Sequence, residues 1–168
     1  MRNKIFKTIG FSLLIAFILL SNVVSASDNK AVDFSLKDQF GKVYDYKFPR
    51  EKVSILAFGD KDGSEQLEPW IRQIYEKYTD KIDIQGVAEL SAVPAIARGI
   101  VRAMIKKKSK QPVMLDWQGK VSKDFKYQKK LANIYLIDKT GNIIIKEVGV
   151  SEEAKLKKIY AEIDKLLK

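Results

Sequence analysis

ANIYLIDKTGNIIIKEV, residues 132–148, places two apolar runs, Ala132 to Ile137 and Asn142 to Val148, on either side of Asp138-Lys139-Thr140-Gly141. Both runs are rich in β-branched side chains, and a short loop containing glycine joins strands that lie antiparallel, so the stretch is a hairpin. Upstream, Val53 to Phe58 is apolar but for Ser54, the pattern of a strand buried on both faces of a parallel sheet, and it stops at Gly59-Asp60-Lys61-Asp62-Gly63. Leu67, Trp70, Ile71, Ile74, Tyr75 and Tyr78 then recur with a 3.6-residue period, which predicts a helix with all six on its core face. Ser64 reads as the N-cap of that helix, and Glu65 and Glu68 suit its positive end. Ile82 to Leu90 outlines another strand. Pro94 opens a second helix, predicted to turn Ile96, Ala97, Ile100, Val101, Met104 and Ile105 inward and its basic residues outward.

Pro112 precedes a short strand, Val113 to Leu115, followed by a turn at Asp116 to Gly119 that leaves Trp117 partly exposed, and Val121 to Phe125 forms a single helical turn. From about Ser151 the chain closes on an amphipathic helix carrying Leu156, Ile159, Tyr160, Ile163, Leu166 and Leu167 on one face. Near the other end, Val32, Phe34 and Leu36 alternate before Asp38-Gln39-Phe40-Gly41, and Val43 to Phe48 returns as a ragged partner strand. This order predicts an α/β three-layer sandwich, with a central mixed β-sheet, helices on both faces and an added N-terminal β-hairpin.

Composition bounds the chemistry. Residues 1–26 carry Arg2, Lys4 and Lys7, then an apolar run from Phe11 to Leu20, then Val24-Ser25-Ala26, which reads as a secretory signal cleaved near Ala26. The apolar run is shorter than the 20 or so residues a spanning helix needs, so the expectation is an exported periplasmic or secreted protein that does not span the membrane after cleavage. Residues 27–168 are then one domain of a size that folds without staples. The sequence has no cysteine and no histidine, which excludes thiol redox chemistry, lipidation at cysteine, and the usual zinc, copper and haem ligands; no cofactor and no metal is implied. Without Arg2, Lys4 and Lys7, 28 basic residues face 21 acidic ones, a net charge of +7. Such a surface suits an acidic partner or an anionic envelope surface. No nucleic-acid-reading motif accompanies it.

Three segments carry a family resemblance. Phe34-Ser35-Leu36-Lys37-Asp38 with Gly41, Pro112 to Val121 (PVMLDWQGKV), and Tyr135-Leu136-Ile137-Asp138 with Gly141 and Ile143 together resemble the peroxiredoxin-like or thiol-disulfide-reductase-like branch of the thioredoxin-like superfamily. The resemblance implies a thioredoxin-like fold. It also implies a cysteine nucleophile in the loop after the first buried strand, but here that window, Gly59 to Glu68, reads GDKDGSEQLE. The family's cis-proline aligns with Ala132, and a cis bond before alanine costs about 3 kcal/mol, so Leu131-Ala132 is expected trans. Both halves of a thiol site are missing.

The leading expectation is therefore a non-catalytic binding or accessory module whose partner is another envelope protein or peptide. Its candidate contact residues are Asp60, Asp62, Gly63, Ser64, Glu65, Gln66, Lys130, Ala132 and Asn133, because loops beyond the strand ends of an α/β sheet converge with helix N-termini. Two alternatives accompany it. One is a cysteine-independent enzyme using the acidic loop at 60–66. The other is an envelope-surface binder working through Arg98, Arg102, Lys106, Lys107, Lys108 and Lys110 on the basic helix at 98–110. The acidic loop lacks the ligand series of a calcium site, and Ser64 has only Lys61 nearby as a base, so capping explains both more simply.

Overall fold

The computed structural model describes residues 29–168, so the leader at 1–26 and its cleavage point lie outside the described residues. Strands β1 (Phe34–Lys37) and β2 (Val43–Tyr46) form an antiparallel hairpin. Strand β3 (Ser54–Gly59) leads through a helical turn, α1 (Lys61–Ser64), into α2 (Leu67–Tyr78). Then come β4 (Asp83–Glu89), α3 (Arg98–Lys108), β5 (Val113–Asp116), the short α4 (Lys120–Asp124), β6 (Asn133–Ile137), β7 (Ile143–Val148) and α5 (Glu153–Leu166). The main sheet runs β5-β4-β3-β6-β7; β3, β4 and β5 run parallel to one another, whereas β6 is antiparallel to both β3 and β7.

β3 is buried along its whole length, as its run of apolar residues after Ser54 favours, and its alternating side chains feed two cores. Ile55 and Ala57 face Trp70, Ile74 and Tyr78 of α2 and Leu156, Ile159 and Ile163 of α5. Leu56 and Phe58 face the other way, into a core closed by Tyr46 of the hairpin, Val121, Phe125 and Tyr135. Trp70 is fully buried and its indole N–H donates to the Gly149 carbonyl at 2.8 Å, tying α2 to the end of β7.

Two Asp-x-x-Gly segments fold into the same device. Asp38 accepts hydrogen bonds from the amides of Phe40 and Lys42 at 2.8 and 2.9 Å, and Asp138 accepts from those of Thr140 and Asn142 at 2.8 Å each. Each carboxylate thus closes its own turn, with a glycine at φ +92° (Gly41) or +93° (Gly141), a backbone region that costs side-chain-bearing residues energy. Burial works to raise the Asp138 carboxyl, but the hydrogen bonds from Asn142 and Thr140 outweigh it and hold it below the ordinary value. The buried Gln39 then fastens the first turn to the segment after α3: its amide donates to the Gln111 carbonyl at 2.8 Å and accepts from the Val113 N–H at 2.8 Å.

Three sequence expectations are corrected. Ser64 lies within α1 and does not cap α2, whose N-cap is Gln66; the N-cap of α1 is Asp60, which accepts from the Gly63 N–H. Tyr75 is 58 % exposed, because the apolar stripe of α2 is wider than the surface it covers and Trp70, Ile74 and Tyr78 fill that surface. The largest departure is α3, none of whose residues is buried: Ile96, in the 3-10 turn leading into it, is 94 % exposed, Ile100 66 % and Met104 57 %. Two apolar stripes wind along this segment about 100° apart, and only the one carrying Ala97, Val101 and Ile105 faces the body. The sheet face a second helix would cover is already taken by the hairpin and α4.

Replacing Trp70 by alanine should lower stability by about 3–5 kcal/mol, from the packing left empty, and Trp70→Phe by about 1–3 kcal/mol, from the Gly149 carbonyl left without its donor. Urea unfolding of both variants measures this.

Candidate functional site

The loop after β3 and the segment before β6 lie side by side because β6 runs antiparallel to β3, with Asn133 opposite Phe58. Asp60 is the centre of this meeting. One carboxylate oxygen accepts from the Gly63 N–H at 2.9 Å, the other from the Lys130 N–H at 2.8 Å, while its own N–H donates to the Tyr127 hydroxyl at 2.8 Å. Burial opposes ionisation of Asp60, yet the donors from Gly63, Lys130 and Tyr127 together prevail and lower its pKa. Tyr127 moves the opposite way, raised first by burial.

Gln66 makes the second link. Its amide N–H donates to the Lys130 carbonyl at 3.1 Å and its amide oxygen accepts from the Ala132 N–H at 3.3 Å, so one side chain matches two backbone groups as a neighbouring strand would. Gly63 is buried against the Leu131 carbonyl so closely that a Cβ there would sit 2.4 Å from that oxygen, and only glycine fits. Asn133, fully buried, holds the loop from behind: its amide donates to the carbonyls of Gln128 at 2.9 Å and Leu131 at 3.0 Å and accepts from the Gln128 N–H at 2.9 Å. The Leu131-Ala132 bond is trans.

The nine predicted contact residues are therefore brought together, but they divide into two kinds. Asp60, Gly63, Gln66, Lys130 through its backbone, Ala132 and Asn133 are spent on one another. Asp62 and Glu65 stay exposed, and the Ser64 hydroxyl donates to the Lys61 carbonyl at 2.9 Å. Tyr127 belongs to the same frame; sequence gave no sign of it, since its partner Asp60 is 67 residues away.

This arrangement is poor in reactive groups. A general base needs a pKa near the working pH, and that of Asp60 is lowered, with each of its oxygens already accepting a backbone N–H. Ser64 points its proton at a carbonyl rather than at a base.

The predicted basic residues share α3 and the turn beyond it without forming one uniform patch. Arg98 is half-buried and turned inward, its guanidinium 5.5 Å from the Trp117 ring and donating to the Trp117 carbonyl at 3.4 Å. With Arg102 it lines a cleft of about 420 Å³ between β1 and the β5–α4 turn, which also contains Lys37 and Lys120. Lys106 lies over the Phe40 ring at 5.4 Å, and Lys107, Lys108 and Lys110 are exposed. Trp117 is half-buried, as expected for that turn.

No protein-family model and no curated protein matches the chain. Solved structures do. It is similar to a candidate thiol:disulfide interchange protein, DsbE, from Chlorobium tepidum, with 24 % identity over 83 % of this chain and 96 % of that one and a TM-score of 0.62. The exposed lipoprotein thioredoxin of Streptococcus pneumoniae is 20 % identical over 80 % of this chain and 100 % of its own, with a TM-score of 0.64. A thiol:disulfide interchange protein of the thioredoxin family from Chlorobium tepidum TLS gives 18 % identity, coverage of 83 % and 97 %, and a TM-score of 0.58. The chain has the thioredoxin-like fold, in a version with no cysteine at any position.

Asp60→Asn tests the electrostatics of the loop. Because the folded carboxyl lies below its ordinary 3.8, its contribution is complete above about pH 4 and is lost as the pH falls through the lowered value. Wild type should exceed Asp60→Asn by about 1–2 kcal/mol at neutral pH, the low part of the range for bonds to a charged group because solvent reaches the site, and the gap should close toward pH 2 in thermal melts.

Proposed function

We propose that this chain is an exported accessory module of the cell envelope that binds a protein or peptide through the loop at 60–66 and performs no thiol chemistry. The observation that carries the reading is the closed frame at the end of β3: the place where a thioredoxin-like protein would present its nucleophile holds a carboxylate engaged on both oxygens and a glycine pressed against the Leu131 carbonyl. A chain without cysteine cannot exchange disulfides or reduce peroxide through sulfur. The similar structures include thiol:disulfide interchange proteins and an exposed lipoprotein thioredoxin, which favours an envelope setting for this relative in fold. The basic start, apolar run and small-residue end of residues 1–26 favour export, with residues 27–168 as the domain that remains. Among the described residues no helix is long and apolar enough to cross a membrane.

The mode of binding follows from which groups remain available. Lys130 and Ala132 have given their N–H groups to Asp60 and Gln66, so this edge is not open for a partner to add a strand. Recognition falls to the exposed side chains of Asp62 and Glu65 beside Lys129 and Lys130, a mixed-sign surface suited to a peptide with paired charges. Asp60, Gln66 and Asn133 act as positioning residues.

Capture of envelope proteins by the purified chain, with chemical cross-linking, tests this. Asp62→Ala with Glu65→Ala should weaken capture of a specific protein by about 1–3 kcal/mol and leave the melting temperature nearly unchanged, because both side chains are exposed. Undiminished capture by the double variant, or reduction of insulin disulfides by the wild type, would contradict the reading.

A further inference from the structure

The 3-10 turn and α3 expose three large aliphatic side chains, Ile96, Ile100 and Met104, in a row spaced by four residues and about 12 Å long. Isolated apolar residues at a surface are ordinary, but an ordered aliphatic row on a helix with no buried residue is the mark of an unpartnered face. Along the chain this segment carries charge of one sign. From Leu90 to Leu115 there is no acidic residue, while Arg98, Arg102, Lys106, Lys107, Lys108 and Lys110 all fall within this span. The helix is held to the body along its other side, through half-buried Ala97, Arg98, Val101 and Ile105, so the aliphatic row points to solvent without the helix having to unfold or detach.

We propose that α3 docks this protein on an anionic phospholipid surface, with Ile96, Ile100 and Met104 entering the interface and the lysines beside them meeting the headgroups. A helix with an aliphatic face and a cationic flank lies in the plane of a bilayer, its apolar side sunk about 5–10 Å toward the acyl chains. Each cation near an anionic leaflet adds about as much attraction as several fold in partition. The pattern of charge selects this occupant over the others. In a two-fold dimer through this face the exposed lysines of one copy would oppose those of the other, and like charges across an interface are costly. A nucleic acid would satisfy the cations but leave the aliphatic row against phosphate and water. Only a surface that is anionic outside and apolar beneath answers both features. This inference does not rest on the loop at 60–66, which uses different residues.

The chain has no cysteine, so one introduced thiol is a unique label. Ile100→Cys and, as a control on α2, Tyr75→Cys would each carry a nitroxide in the full chain. Both positions are more than half exposed, and unchanged circular dichroism and melting would establish that both variants fold. With phosphatidylcholine vesicles containing phosphatidylglycerol, the label at 100 should become accessible to oxygen and shielded from a polar relaxation agent, whereas the label at 75 stays aqueous. With pure phosphatidylcholine the label at 100 should stay aqueous as well. Neutralising Lys106, Lys107 and Lys108 to serine should lower partition onto the anionic vesicles by about a hundredfold. A label at 100 that remains aqueous on anionic vesicles would overturn the proposal, as would equal immersion on neutral ones, which would mean that the aliphatic row or the leader acts without the cations. Immobilisation of that label without vesicles, with a doubled mass in sedimentation, would overturn it in favour of an interface between copies.

Discussion

The two carboxylate oxygens of Asp60 hold the amides of Gly63 and Lys130 at once, and the rest of the candidate site depends on that pair of bonds. One bond shapes the helical turn after β3; the other reaches 70 residues along the chain and fixes the segment entering β6. Gln66 repeats the link one turn later, and Asn133 fills the space beneath. A carboxylate that receives two backbone donors is stabilised as the anion, so these bonds keep their charge-assisted character throughout the neutral range. The loop after β3 and the segment before β6 thus form a structural joint.

Under the proposed function, that joint leaves recognition to side chains. A thioredoxin-like edge with free backbone groups can take an extended peptide by adding a strand, which tolerates many sequences. Here those groups are occupied by Asp60 and Gln66, and the exposed charges of Asp62, Glu65 and the neighbouring lysines offer a narrower specificity. The opposite property marks α3, where aliphatic and cationic side chains combine in a way suited to a surface rather than to a sequence. A module joining a selective loop to a surface-seeking helix would keep its partner at the envelope, with the stiff sheet setting the distance between the two contacts.

Much of the architecture was legible because the local patterns have one physical reading. The run at 53–58 is apolar at every position but Ser54, the pattern of a strand covered on both faces, and the Asp-Lys-Thr-Gly turn joins two such neighbours. The absence of cysteine was equally plain. What sequence did not reveal was how much helix surface the body could cover. Tyr75 and Ile100 obey the helical period as well as Ile74 and Val101 do, and the period alone does not say where a stripe ends. The site was half legible for a related reason. The family order brought Asp60 to Gln66 next to Lys130 to Asn133, but whether those groups face a partner or one another depends on contacts 64 to 70 residues apart, and Tyr127 joins them without any motif of its own.

The account turns on the joint being closed in the free protein, and amide hydrogen exchange followed by NMR measures that directly. The Lys130 and Ala132 amides should exchange far more slowly than the exposed amides of the same loop, and Asp60→Ala should release Lys130 while Gln66→Ala releases Ala132, each without loss of protection in β3. Exchange of both amides in the wild type at the rate of an unstructured chain would contradict it, because the backbone edge would then be open to a partner and the corner would not be a joint.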